Sequence, residues 1–169
     1  MNIVLTLFLC LAIGNPSAPA NEAGCRKFVQ TFYTWYVKAS QKGGFELAVN
    51  KKSSFFSPEL LRGLKADMAA SKKSPGEIVG LDFDPFLNSQ EMPDRCNVSK
   101  VTRKGDRYMA LVNSHYADTK DPGPSFTAEL KSNHGQWQFV NFHYGKQGGK
   151  AQDLLGILAE LKSERTKKK

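Results

Sequence analysis

The chain has little of what most reactive sites are built from. It holds three cysteines, three histidines and two tryptophans in 169 residues. No histidine stands at ligand spacing from a cysteine, which excludes the familiar Cys/His zinc patterns. No Ser-His-Asp or Cys-His arrangement is legible. "GKQGGK", residues 145–150, lacks both the length and the strand-to-helix setting of a phosphate-binding loop. No acidic stretch carries calcium-loop spacing, and no apolar run approaches the ~20 residues of a membrane helix. No internal repeat is present. The expectation is therefore no metal and no cofactor.

What is present begins with a leader. "IVLTLFLCLAI", residues 3–13, is uncharged and mostly apolar, followed by "NPSAPA". Ala18-Pro19-Ala20 has the small-x-small form of a cleavage site, so residues 1–20 are expected to be a signal peptide removed after Ala20. Leu9 precedes Cys10 where a lipobox needs a small residue, which favours an ordinary periplasmic or secreted protein over a lipoprotein. The remaining chain is one domain by length, enough to bury about 68–70% of its unfolded surface. Domain boundaries are placed at 21–163, with a basic tail over 164–169.

Two cysteines follow the leader, Cys25 and Cys96. An oxidising compartment favours a disulfide between them. Closing a loop of ~70 residues would contribute up to about 4 kcal/mol in the chain-entropy account. The alternative is two buried thiols. The net charge of +8 belongs to the mature chain, because the leader carries no charged side chain. Much of the excess lies in "VNKKSS", "ASKKSP" and "KSERTKKK", runs typical of solvated surface. The expected partner is an envelope protein or a small ligand, with weak contact to an anionic surface if Lys51, Lys52, Lys72, Lys73 and the tail share a face. No interleaved basic–aromatic strand appears, so no nucleic acid is expected.

The pattern of elements is helical first and strand-rich later. Phe28, Phe32, Trp35 and Tyr36, widened by Val29 and Tyr33, form one face of a helix ended by Gly43-Gly44. Ser57 and Pro58 open a second helix with Leu60, Leu61, Leu64 and Met68 inward. A stretch over 71–94 has little periodicity and contains "GLDFDPFLNSQE". Strands are expected over "RCNVSKVTR", "RYMALVNSHYA", "FTAELKS" and "QWQFVNFHY". Strict alternation in the last groups Trp137, Phe139, Asn141 and His143 against Gln138, Val140, Phe142 and Tyr144. A final helix is expected from Ala151, with Leu154, Leu155, Leu158 and Leu161 as its stripe. Helices followed by a meander argue for an α+β class: a cone-like curved antiparallel sheet wrapped on the long N-terminal helix, with a C-terminal helix.

"FVQTFYTWY", "FFSPELLRGL", "DPF" and "GQWQFVNFHYG", in this order across residues 26–162 of an exported chain, resemble bacterial envelope proteins carrying the domain of unknown function 3828. That family is similar to the nuclear transport factor 2-like superfamily. The resemblance implies the cone fold and an envelope location. It implies no activity, because the superfamily spans isomerases, dehydratases, small-molecule binders and non-catalytic modules.

Asp84-Pro85-Phe86 reads as a backbone cap. The Asp84 carboxylate is expected to accept the N–H of Phe86 or Leu87, Pro85 to open a short helical turn, and Phe86 to drop into the core. Asp82 is left over. A catalytic alternative, implied by the resemblance, is a small-molecule isomerase or lyase using Tyr33, Tyr36, Asp82 and His143, or His115, around the cone cavity. It requires those side chains to converge. The leading expectation is a non-catalytic binding domain, an immunity factor or an accessory of an envelope complex, with Tyr36, Asp82, Asp84, Phe86 and Tyr116 as ligand- or partner-binding candidates at the cone mouth.

Overall fold

The structure, a computed structural model, describes residues 21–73, 79–117, 125–133, 135–147 and 150–167. The expected signal peptide over 1–20 and the turn over 74–77 lie outside the described residues. The class is α+β. The elements are α1 (Glu22–Ser40), α2 (Gly44–Lys51), a 3₁₀ turn (Ser53–Phe55), α3 (Pro58–Lys73), β1 (Arg95–Lys104), β2 (Arg107–His115), β3 (Ser125–Asn133), β4 (Gln136–Gln147), β5 (Lys150–Asp153) and α4 (Leu154–Lys167). The five strands pair antiparallel in chain order and form one curved, open sheet.

Local chemistry explains the boundaries. Asn21 caps α1, its side chain accepting the Gly24 N–H at 2.7 Å. Ser57 caps α3 by accepting the Leu60 N–H at 3.3 Å, while its own N–H donates to the Phe139 carbonyl at 2.8 Å. Asp153 caps α4 through the Gly156 N–H at 3.0 Å. The chain before that cap pairs with β4 as β5, so the final helix starts at Leu154 and not at Ala151. Helix α2 was not expected. Gly43 at φ +81° turns the chain, and Gly44 packs so closely on α1 that a Cβ there would meet the Ser40 Cβ at 3.0 Å.

Two bulges set the curvature and the side-chain parity. Between β1 and β2 the register slips at Ser99; between β3 and β4 it slips at Val140. One extra residue bends the strand and reverses which face follows. The strict alternation expected for β4 therefore fails. Phe139 and Phe142 both enter the core, with ring centroids 5.2 Å apart. Beyond the bulge Tyr144 points inward and His143 outward.

Helix α1 lies in the curve of the sheet. Phe32 packs on Phe139 at 4.9 Å and Tyr33 on Phe126 at 5.7 Å between ring centroids. Phe32, Tyr33, Tyr36, Phe56, Phe86, Phe126, Phe139 and Phe142 are all buried in one cluster.

The expected disulfide needs correction. The Cys25–Cys96 disulfide is not formed; both are free, buried thiols. The register of α1 against β1 gives the reason. Glu22 accepts the Arg103 N–H at 3.2 Å, whereas Gln30 brackets the Cys96 carbonyl and the Val98 N–H at 3.0 Å each. Cys96 is thus level with Gln30, five residues past Cys25. Five residues rise about 7.5 Å, beyond the ~4.4–6.8 Å Cα separation that a disulfide bridges. Residues 164–167 of the expected basic tail are helical. Helix α4 continues to Lys167, and Arg165 donates to the Asp67 carboxylate at 2.7 Å. Asp67 is buried and also accepts the Leu81 N–H at 3.1 Å. Gly80, at φ +99°, lies against it; a Cβ there would come within 2.7 Å of Asp67 Oδ2.

Candidate functional site

The Asp84-Pro85-Phe86 loop is held by three tyrosine hydroxyls on three successive residues. Tyr36 donates to Asp84 Oδ2 at 2.6 Å, Tyr144 to the Pro85 carbonyl at 2.8 Å and Tyr33 to the Phe86 carbonyl at 2.8 Å. Tyr33 and Tyr36 stand on α1; Tyr144 comes from β4 because of the Val140 bulge. The other Asp84 oxygen accepts the Phe86 N–H at 2.9 Å, as the cap reading expects. The segment is a turn and not a helix. The Asp84 N–H donates to the Ser89 carbonyl at 2.9 Å, and Asn88 turns the chain at φ +52°. Asn tolerates that left-handed region better than other side-chain-bearing residues.

Phe86 completes the plug. Its ring, fully buried, is stacked on Phe56 at 5.2 Å and meets Phe142 at 5.2 Å, Tyr36 at 5.4 Å, and Phe32 and Phe45 at 5.9 Å. Burial raises the Asp84 carboxyl above the usual carboxylate range, against the lowering effect of Tyr36 and of the Phe86 and Leu87 N–H groups. Burial, then Asp84 itself, holds the Tyr36 hydroxyl well above its ordinary range; Tyr33 and Tyr144 are raised mainly by burial. These phenols are neutral donors already engaged. Turning one toward a ligand would leave a buried carbonyl or carboxylate without its partner, a cost of about 1–3 kcal/mol.

The remaining candidates do not join them. Asp82 is exposed, and its backbone carbonyl accepts from Gln90 at 3.0 Å. His143 faces outward and pairs with Glu129 at 2.8 Å, with Arg107 at 3.8 Å from the same carboxylate. His115 bonds the Asn97 side chain. Tyr116 donates to the Ser89 hydroxyl at 3.2 Å and so braces the far side of the loop. Tyr36 thus meets Asp84 and Tyr33 the Phe86 carbonyl, while the Asp82 and His143 side chains do not join them. The basic candidates are also dispersed in role: Lys72 pairs with Glu46 at 3.1 Å, and Lys52 stands over the Trp35 and Phe55 rings at 5.3 and 5.4 Å.

The described residues carry grooves of about 300–550 Å³ that are not lined by Tyr36, Asp84 or Phe86; one, of about 370 Å³, is lined by Tyr33 and Cys96. Two of the grooves lie between α1 and β1, and the larger of these two is lined by Arg26, Gln30 and Val101. The groove beside the plug, about 500 Å³, is walled by Asp82, Phe83, Gln90 and Tyr144 on one side and by Ile157, Glu160, Leu161 and Glu164 of α4 on the other. Among the described residues no group of three or more His, Cys, Asp or Glu is placed to hold a metal ion, and no helix is long and apolar enough to cross a membrane.

Sequence reasoning missed Tyr144 and the Asp67–Arg165 pair. The tyrosine was visible as a strand residue, but its direction depends on a bulge that no local motif announces. Residues 67 and 165 are too far apart in sequence for any spacing rule to join them. Comparison with protein-family models, with curated proteins and with solved structures finds no match.

Proposed function

We propose that the chain is an exported, non-catalytic interaction domain of the nuclear transport factor 2-like kind, periplasmic or secreted after cleavage at Ala20, whose partner docks on the surface around the closed cone mouth. The observation that carries this reading is the filled interior. Aromatic rings occupy the space where a superfamily enzyme would keep its cavity, and Tyr33, Tyr36 and Tyr144 spend their hydroxyls on the plug. What the plug leaves on the surface is a braced loop over 82–90, and rigid loops on a packed scaffold are common binding surfaces. An immunity factor or a component of an envelope complex needs that kind of surface and no reactive group.

The test is site-specific photo-cross-linking in the envelope, with the photoreactive residue placed at Gln90 on the loop or at Lys131 on β3, together with the mass of the exported N-terminus. Discrete adducts from Gln90 and none from Lys131, on a chain beginning at Asn21, are expected. Adducts from Lys131 alone would refute the docking surface, and an uncleaved leader would refute export.

A further inference from the structure

The groove between the 82–90 loop and α4 has a charge that contrasts with the rest of the chain. The whole sequence carries +8, yet the groove is lined by three carboxylates, Asp82, Glu160 and Glu164, and by no lysine or arginine. Among the described residues none of these three carboxylates has an ion-pair or hydrogen-bond partner. Two features of α4 work against its own stability here. Glu160 and Glu164 are one turn apart, a like-charge spacing that weakens a helix. Glu164 also lies in the last turn of α4, where the helix dipole disfavours a carboxylate. A bound cation relieves both. Below the carboxylates Phe83, Tyr144, Ile157 and Leu161 supply apolar contact. From Ile157 to Glu164 the helix rises about 10 Å, the reach of about three extended residues.

We propose that this groove is the docking site for a cationic peptide segment, with lysine or arginine side chains set against Asp82, Glu160 and Glu164 and an apolar side chain between them on Phe83 and Leu161. The proposal rests on the interaction-domain reading and names its partner's chemistry. The net charge of +8 opposes non-specific attraction of such a peptide to the protein as a whole.

The probe is a fluorescein-labelled Lys-Leu-Lys-Leu-Lys peptide, titrated by anisotropy against the purified protein, the E160Q/E164Q variant and, as a control at exposed positions at the end of α1 and in the turn after it, K38Q/K42Q. Saturable binding is expected, weakened at least ~10-fold by E160Q/E164Q, unchanged or tighter in K38Q/K42Q, and weaker when salt rises from about 0.01 to 0.15 M as the screening length contracts. Circular dichroism of E160Q/E164Q, altered only at exposed positions, verifies its fold. Equal binding by wild type and E160Q/E164Q, or preference for a Glu-Leu-Glu-Leu-Glu peptide, overturns the proposal. So does salt-sensitive self-association abolished by E160Q/E164Q, which would make a second copy the occupant. If Gln90 cross-links persist in E160Q/E164Q, only the cationic occupant fails; if Gln90 yields no cross-link at all, the interaction-domain reading fails first.

Discussion

Removing the Phe86 ring tests whether the Asp84-Pro85-Phe86 loop is core or ornament. The side chain is fully buried, with five aromatic rings whose centroids lie within 6 Å. Truncation to alanine loses the transfer free energy of the ring and leaves a cavity that its stiff aromatic neighbours can collapse only in part. Phe86→Ala is therefore expected to cost about 3–5 kcal/mol, a large share of the ~5–15 kcal/mol of a single domain. Phe83 is the internal control. It is half-buried in the same loop and has one edge-on partner, Tyr144, at 5.5 Å; Phe83→Ala is expected to cost about 1 kcal/mol. Urea unfolding followed by the fluorescence of Trp35 and Trp137 reads both, and the midpoint should shift with little change in slope. Phe86→Leu, at about 1–2 kcal/mol, keeps the comparison measurable if the alanine variant does not fold. A Phe86→Ala cost no larger than that of Phe83→Ala would refute the plug, and with it the account of the mouth as closed.

Three further outcomes follow from the same geometry. Asp84 has a folded carboxyl pKa raised by burial, so the folded state holds its proton more tightly than the unfolded chain does; its contribution is fully present at acidic pH and is lost as pH rises from the ordinary carboxyl value through the raised one. Urea midpoints measured across that range should carry a downward component in wild type that Asp84→Asn removes; parallel profiles would refute it. Ending the chain at Ser163 strips Arg165 from the buried Asp67 carboxylate and should cost about 3 kcal/mol, with Arg165→Ala reproducing most of the loss; a neutral truncation in thermal melts would show that the pair is not structural. Cys25 and Cys96 are buried thiols, pushed by burial to about 12 and about 11. They should ignore a thiol reagent in the native state and react in urea, whereas a mass two hydrogens lighter in non-reducing conditions would restore the disulfide.

Much of the fold was legible because its signals are local. The α1 stripe, the Ser57-Pro58 helix start and the alternation of Phe126, Ala128 and Leu130 each follow from a repeat of 3.6 or 2 within one element. The Asp84 cap is local too, since it joins residues two apart. Small departures escaped for reasons equally physical. Helix α2 is eight residues long, barely two turns, and is held by packing on α1 more than by its own propensity. Strand β5 exists only because β4 lies beside it.

The sequence by itself therefore determined the class, the order of the main elements, the charge and the inward fate of Phe86, because periodicity and capping act within a few residues. The tertiary structure alone decided that His143 turns out and Tyr144 turns in, because one bulge residue reverses strand parity. It decided that Tyr33, Tyr36 and Tyr144 meet on one loop, that Cys25 and Cys96 lie on different rungs of α1 against β1, and that Asp67 finds Arg165. Each of these depends on how elements distant in sequence register in space, and no spacing along the chain encodes that register.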